Sequence, residues 1–371
     1  MKIGLITIHN SCNYGAVLQT YATQEVLSNF GKAEIINYHN PHTDKTIQLL
    51  RFGTQPRDIL RLGKDVLRFL PKLRILKKFK SFFDQNYKLS GPRTKNLEQL
   101  AERYDVLVCG SDQIWNPSII SGNQLLDSNY FLNFTKSKKK ISYASSMGSH
   151  EYTKIESQEV KRCLANFSNI SVRESDSAEY LSNLLGKGVT HVLDPTLLLD
   201  KAEWTSKLNT PTTSKRNDYI LVYVLRKNKI LDQTVSIVAK RLNLDVIVID
   251  QDPYTTIKCK EHIKDAGPSE FIEIFSNASF VITNSFHGTA FSLNFEVPFI
   301  VTPPPTGLNR IMSLLTAVDA CDRAINTIDD ITITLNNEIN FSAINKNLGH
   351  LRDNSKKYLA NAVLHSTDTP L

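Results

Sequence analysis

No apolar run in this 371-residue chain is long enough to cross a bilayer; the longest, such as Ile3-Gly4-Leu5-Ile6 and Phe299-Ile300-Val301, are strand-sized. Met1-Lys2 leads straight into one of these short runs, which lacks the length and small-residue cleavage site of a secretory leader, so none is expected. Cysteine is scarce. The five residues (Cys12, Cys109, Cys163, Cys259, Cys321) are odd in number, widely spaced and free of any Cys-x-x-Cys pair. Disulfide frameworks and metal centres are therefore not expected, and the chain reads as reduced and cytoplasmic. The first strand-to-helix turn has no Gly-x-Gly-x-x-Gly, which argues against a dinucleotide. Internal repeats and low-complexity tracts are absent too.

What is present is globular: 41% hydrophobic and 22% charged residues, in a chain too long for one ordinary core and suited to two domains. The net charge of +7 is local. Between Arg51 and Lys80, ten basic residues face only Asp58 and Asp65, so that window carries +8 and the remainder about −1. Nucleic-acid binding by the protein body is thus unsupported. The window also carries Leu62, Val66, Phe69, Leu73, Leu76, Phe79 and Phe83 at helical spacing, with Pro71 expected to break it into two helices. Such a helix can lie on an anionic membrane surface or pack on its own domain with a solvated basic face.

Elsewhere strand-like and helix-like patterns alternate, which implies parallel strands with helical crossovers. A first series includes strands at Lys2–Ile8, Ala33–Tyr38, Asp105–Cys109, Lys140–Ala144, Asn169–Val172 and His191–Leu193, with helices at Gly15–Asn29, Glu159–Phe167 and Ser175–Leu185. Asp194-Pro195-Thr196 interrupts it, and Asn209–Asn217 reads as a loop. A second series has strands at Tyr219–Leu225, Asp245–Ile249, Phe280–Thr283 and Pro298–Val301; helices fall near Ile230–Leu242, Pro268–Ser276, Gly288–Phe295 and Leu308–Val318. The expected fold is α/β: two Rossmann-like domains facing a cleft, 1–196 and 197–345. A basic helical insert near 56–84 is placed in the first domain, and a C-terminal helix and tail occupy 346–371.

Ligands of such sheets bind beyond the carboxyl ends of the strands, and four polar clusters fall there. His9-Asn10-Ser11-Cys12-Asn13-Tyr14-Gly15 occupies the first turn, where helix-start amides attract anions, although a capped polar turn would look the same. Gly110-Ser111-Asp112-Gln113-Ile114-Trp115-Asn116-Pro117 sets a hydroxyl, a carboxylate, an amide and an indole at one strand end. That set suits a sugar, or an Asp cap over a buried Trp. Arg173 ends a short strand and can fork onto an anion or pair with a nearby acid such as Glu174. Thr283-Asn284-Ser285-Phe286-His287-Gly288-Thr289 places a histidine at a helix start, where the dipole favours the neutral imidazole of a general base.

Together these strings resemble the polysaccharide pyruvyl transferase family. So do Ile141-Ser142-Tyr143-Ala144, Ile170-Ser171-Val172-Arg173-Glu174 and Val192-Leu193-Asp194-Pro195-Thr196, in order over nearly the whole chain. The resemblance implies a GT-B-like fold and transfer of pyruvate from phosphoenolpyruvate to two hydroxyls of a sugar in a surface or capsular polysaccharide precursor. The product would be a cyclic ketal, with phosphate released and no metal or other cofactor required. On that reading His287 is the acid/base and Arg173 holds an anionic group of the donor. Asn284, Ser285, Gly288 and Arg310 complete the donor site, while Asn13, Tyr14, Ser111, Asp112 and Trp115 face the acceptor. A lipid-linked acceptor would suit a peripheral membrane position. Two other readings stand beside it. One is a glycosyltransferase using a nucleotide sugar, for which Glu296-Val297-Pro298 resembles the end of such a site. The other is a sugar-binding scaffold without catalysis.

Overall fold

The computed structural model describes residues 1–50, 62–63, 65–136, 138–210, 217–225, 228–304 and 307–365. Arg51, Arg57, Arg61 and Lys64 of the basic window, and most of the loop expected at Asn209–Asn217, lie outside them. The chain forms two compact units: Met1–Thr46 with Asn86–Leu198 and Gly349–Leu371, and Ile47–Gln85 with Leu199–Leu348.

Unit 1 begins with β1 (Lys2–Ile6), α1 (Tyr14–Leu27) and β2 (Lys32–Ile35). After α2 (Phe69–Asn86), which packs in unit 2 up to Gln85, it resumes with α3 (Glu98–Ala101), β3 (Val106–Cys109), α4 (Pro117–Ile120) and β4 (Lys139–Ser142). Next come α5 (Lys154–Leu164), β5 (Ser171–Val172), α6 (Ser175–Leu185) and β6 (Thr190–His191). The sheet is parallel in the order β2-β1-β3-β4. Bridges from Ile141 to Asn169 and from Ser145 to Val172 extend it towards the β5-β6 pair. Because strand order reverses about β1, the loops after β1 and β3 flank the switch point where ligands of such sheets sit. Helix α1 is buried except for Glu25, and its polar side chains bond inside the protein: Gln19 Nε2 donates to Thr7 Oγ1 (3.0 Å) and Thr20 Oγ1 to the Ala16 carbonyl (2.8 Å).

Unit 2 runs α7 (Lys201–Lys207), β7 (Asn217–Tyr223), α8 (Lys229–Leu242), β8 (Asp245–Ile249), β9 (Glu261–Ile263), α9 (Pro268–Asn277), β10 (Ala278–Thr283), α10 (Phe286–Asn294), β11 (Phe299–Val301), α11 (Leu308–Ala317) and α12 (Asp330–Asn336). Its strands lie parallel in the order β11-β10-β7-β8-β9, the reversal falling between β7 and β10. The sheet buries an aliphatic core that includes Ile220, Val222, Val248 and Ile282. Strand β9 is not expected from sequence: three half-exposed residues give too short a pattern to read.

The basic insert needs correction. Though interrupting the first domain's sequence, it packs with the second unit, because its partners are there. Lys78 pairs with Glu270 (2.7 Å), Arg74 with Asp265, and Arg68 Nη1 donates to the Gln251 carbonyl (3.1 Å). The buried face is Lys72, Ile75, Phe79 and Phe82, which shares Phe79 with the predicted stripe; Leu73, Leu76 and Phe83 are half-buried beside it, and Val66 and Phe69 are exposed. Pro71 lies in the first turn of α2, where its missing N–H leaves no bond unmade; residues 65–67 are helical, Arg68 is a turn and α2 starts at Phe69, so the window divides into two helical stretches as expected, the break falling three residues before the proline. The last helix, α13 (Phe341–Leu364), is divided at Leu348/Gly349 instead of standing apart as a tail. Its second half joins unit 1 through Ser355 Oγ, which accepts from Leu193 N (3.0 Å), and Tyr358 Oη, which donates to the Ser142 carbonyl (3.1 Å). Among the described residues no helix is long and apolar enough to cross a membrane.

Phe79 is 1% exposed. Phe79→Ala is therefore expected to destabilise unit 2 by about 3–5 kcal/mol in denaturant unfolding; a change below about 1 kcal/mol would mean that α2 is not part of that core.

Candidate functional site

In unit 2 the predicted residues gather at the switch point. Thr283, the last residue of β10, donates from Oγ1 to the Tyr223 carbonyl at the end of β7 (2.6 Å), and Asn284 Oδ1 accepts from Leu225 N (3.0 Å). Ser285 then caps α10: its N–H donates to Thr283 Oγ1 (3.1 Å) and its Oγ accepts from Gly288 N (3.4 Å). The helix therefore begins two residues earlier than the sequence pattern suggests. His287 is its second residue, 9% exposed, set edge-on to Phe286. Gly288 has a steric reason. A Cβ there would lie 2.1 Å from Thr283 Oγ1, so only glycine lets the first turn pass this close to the strand. Arg310 follows the next strand, β11, as the third residue of α11 and is half-buried. Gly307 (φ 77°) precedes that helix, and a Cβ on it would come within 2.6 Å of Arg310 Nη2. Glu296, near the end of the same unit's β10-α10 segment, accepts from Asn345 Nδ2 (2.7 Å).

Unit 1 tells a different story. Arg173 is 3% exposed; its Nη1 donates to Asp194 Oδ2 (2.8 Å) and its Nε to Glu174 Oε1 (3.3 Å). Asp194 Oδ2 also accepts from Ser111 Oγ (3.0 Å), and its Oδ1 from Thr196 N (2.9 Å) and Oγ1 (2.7 Å). Glu174 Oε1 accepts from Ser146 Oγ (2.7 Å). Burial opposes the guanidinium charge, but Glu174, Asp194 and Asp112 outweigh it and raise its pKa. Arg173 and Ser111 are thus parts of an internal crosslink, a correction to the donor and acceptor roles expected of them. Trp115 is likewise corrected: it is fully buried, stacked on Phe131 (5.3 Å between centroids), and donates from Nε1 to the Tyr130 carbonyl (3.1 Å). Its indole offers no face to a sugar. Tyr14 is buried at the start of α1.

Asn13 and Asp112 remain at the surface of this unit's switch point. Asn13 is exposed and caps α1 through Ala16 N (3.2 Å). Asp112 is half-buried with φ 72°, a left-handed conformation that asparagine and aspartate tolerate best, and its Oδ1 accepts from Gln113 N (2.9 Å). Thr7 Oγ1, donating to the Ser111 carbonyl (2.7 Å), joins the two loops.

Sequence reasoning missed a charged group beside them. Asp44 is buried, pairs with Arg93, and accepts from His39 Nδ1 (2.5 Å). His9, 5% exposed, contacts the Thr7 carbonyl through Nδ1 and Asn37 Oδ1 through Nε2 (3.2 Å each). Burial pushes the His9 pKa down and the Asp44 carboxyl up. These residues are separated by up to 84 positions and follow no spacing rule, so no local pattern could have joined them. Among the described residues no group of three or more His, Cys, Asp or Glu is placed to hold a metal.

Two expectations follow. Arg173→Ala leaves two carboxylates buried without their cation and should destabilise the protein by about 3–5 kcal/mol; an unchanged melting temperature would refute the crosslink. His9 is held below its ordinary value of 6.5, so the unfolded chain takes up a proton first as pH falls. Stability should drop below about pH 6.5, and His9→Gln should flatten that slope in melting temperatures measured from pH 7.5 to 5. An unaltered slope would count against a neutral, buried His9.

Solved structures similar in fold include two epimerases. A putative UDP-N-acetylglucosamine 2-epimerase from Listeria monocytogenes is 11% identical, with a TM-score of 0.51 covering 100% of this chain and 98% of that chain. UDP-GlcNAc 2-epimerase from Neisseria meningitidis is 9% identical, with a TM-score of 0.49 covering 98% and 100%. At such identity the likeness speaks to fold alone, a GT-B-like α/β architecture of Rossmann-like units. No curated protein matches the chain. The profile of the polysaccharide pyruvyl transferase family matches residues 13–304, most of the chain, and with both switch-point loops falling in or against that span the protein belongs to this family.

Proposed function

We propose that the protein transfers the pyruvyl group of phosphoenolpyruvate onto two hydroxyls of a sugar in a surface-polysaccharide precursor, forming a cyclic ketal and releasing phosphate. The observation that carries this reading is the β10-α10 connection. Within the family's span, it sets a largely buried histidine in the first turn of a helix at the sheet's switch point.

The chemistry needs a proton donor to the methylene carbon of the enol, an acceptor for hydroxyl protons, and positive potential for a phosphate and a carboxylate. His287 is assigned the proton transfers: it gives a proton to the methylene, and the neighbouring carbon becomes electrophilic. A sugar hydroxyl adds there and loses its proton, phosphate departs, and the second hydroxyl closes the ring. The amides at the start of α10 and the Arg310 guanidinium supply the positive potential on unit 2. Asn284 and Ser285 hold the turn that aims His287, and Gly288 lets it approach the strand. On unit 1, Asn13 and Asp112 are assigned to the acceptor. Tyr14, Ser111, Trp115 and Arg173 support those loops from inside.

The test is phosphate release from phosphoenolpyruvate that depends on a sugar acceptor, with the ketal identified by mass. His287→Ala should lower kcat by about 10²–10⁴-fold while leaving the melting temperature close to wild type. Near-normal turnover in that variant would remove His287 from the chemistry. Turnover of a UDP-sugar with none of phosphoenolpyruvate would overturn the function.

A further inference from the structure

A second concavity lies in unit 1, where the chain leaving β2 meets the loop that follows α4. It is a groove of about 410 Å³, within the size range of ligand sites, with Asn40, His42, Ile120, Asn123, Leu125 and Asp127 on its walls. Among the described residues no lysine or arginine lines it. Its one carboxylate is satisfied within the protein: Asp127 Oδ2 accepts from Tyr38 Oη (2.7 Å) and Asn40 Nδ2 (3.1 Å), and Oδ1 from Asn129 N (3.0 Å).

Asn40 is fully engaged as well. Its Oδ1 accepts from His42 N (2.9 Å) and Thr43 N (3.1 Å), and its Nδ2 also donates to the Ile120 carbonyl (3.0 Å). The walls are therefore fixed before anything binds, and the charge they carry is the hydrogen-bonded carboxylate of Asp127. His42 differs: its Nδ1 is buried with no hydrogen-bond partner in the structure, a state that a polar ligand would relieve. Gly122 faces that nitrogen, and even a Cβ there would stand 3.3 Å from it. Leu125, 62% exposed, adds an aliphatic surface at the rim.

Among the described lining residues an anion finds no cation and meets the Asp127 charge instead, and a purely apolar ligand would strand the imidazole and the Asn123 amide. Neutral polyhydroxylated molecules suit both features, since they combine hydroxyls with C–H faces. The groove also belongs to the acceptor side of the molecule: the Asn40–Ile47 segment holds the β1-α1 loop through Thr46 Oγ1, which accepts from Cys12 N (3.3 Å). We infer that this groove is a subsite for an uncharged sugar residue of the acceptor glycan, set apart from the hydroxyls that react. The assignment rests on the transferase reading for the word acceptor, but not for the binding itself.

The experiment is saturation-transfer NMR on the full chain. The probes are neutral mono- and disaccharides of glucose, galactose, mannose and N-acetylglucosamine, with galacturonate and glucose 6-phosphate as charged controls. At least one neutral sugar should bind to wild type and the charged controls should not. Binding should be lost in Gly122→Val, which fills the space beside His42, and weakened about tenfold in His42→Ala, the loss of one well-placed hydrogen bond. His287→Ala should bind as wild type does. Melting temperatures identify any variant that fails to fold, and His42→Ala, altering a half-buried side chain, keeps the test decisive if Gly122→Val does so. The groove is refuted if no neutral sugar binds, if charged sugars bind equally well, or if folded variants bind unchanged. Sugar binding with no pyruvyl transfer would overturn the function and leave the subsite. Transfer with an unaltered acceptor KM in the folded variants would overturn the subsite and leave the function.

Discussion

Unit 1 depends on a single guanidinium. Arg173 lies among the ends of strands that are far apart in sequence, and its bonds to Asp194 and Glu174 gather serines from the segments that follow two other strands, Ser111 after β3 and Ser146 after β4. Removing such charges from water is costly, and the Coulombic return depends on every remaining lone pair being matched. Asp194 is matched by Thr196 and Ser111 as well as by Arg173. The family motifs in this half of the chain are therefore mostly one buried polar network, read in sequence as separate strings. Their chemistry is that of registration: it fixes where the β3 loop ends, and hence where Asp112 emerges at φ 72°.

The second unit reaches the same result by steric means. Thr283 bridges β10 to β7 and caps the amide of Ser285, while the absent Cβ of Gly288 lets the helix start on top of it. Every residue of α10 is buried, so the first turn is held from all sides. A histidine there has little rotational freedom, which is a condition for proton transfer at a fixed atom.

Much of the fold was legible because hydrophobic periodicity and turn chemistry agree: β1, α1, β3, β10 and α10 stand within a few residues of their predicted places, as does the GT-B-like pairing of two α/β units. What failed was information that sequence does not carry. The period of α2 announces an amphipathic helix but cannot say that its cations would meet Asp265 and Glu270, nearly two hundred residues on. Strand β9 is too short to show a pattern. Trp115 and Arg173 were read as ligand-facing because indole and guanidinium serve sugars and anions well. The same polarity also suits a buried donor whose partners are internal, and only coordinates distinguish the two. The position of His287 was legible for the opposite reason: a strand end, a cap and a glycine mark a helix start locally.

On the proposed function the two switch points divide the work by chemistry. The amides at the β10-α10 start and the Arg310 guanidinium are the groups of unit 2 assigned to a small dianionic or trianionic donor. The described surface around Asn13, Asp112 and the β2 exit carries amides, imidazole and carboxylates that are already paired, which suits uncharged hydroxyls. Were both regions basic, a phosphate-bearing donor could occupy either one. On that function, an acceptor surface of amides and hydrogen-bonded carboxylates excludes the donor through like-charge repulsion and the desolvation that an unpaired anion would suffer there. Arg93 and Arg173 meet opposite charge inside unit 1, on Asp44 and Asp194, so on that function specificity comes from where these cations are held rather than from a dedicated repulsive residue.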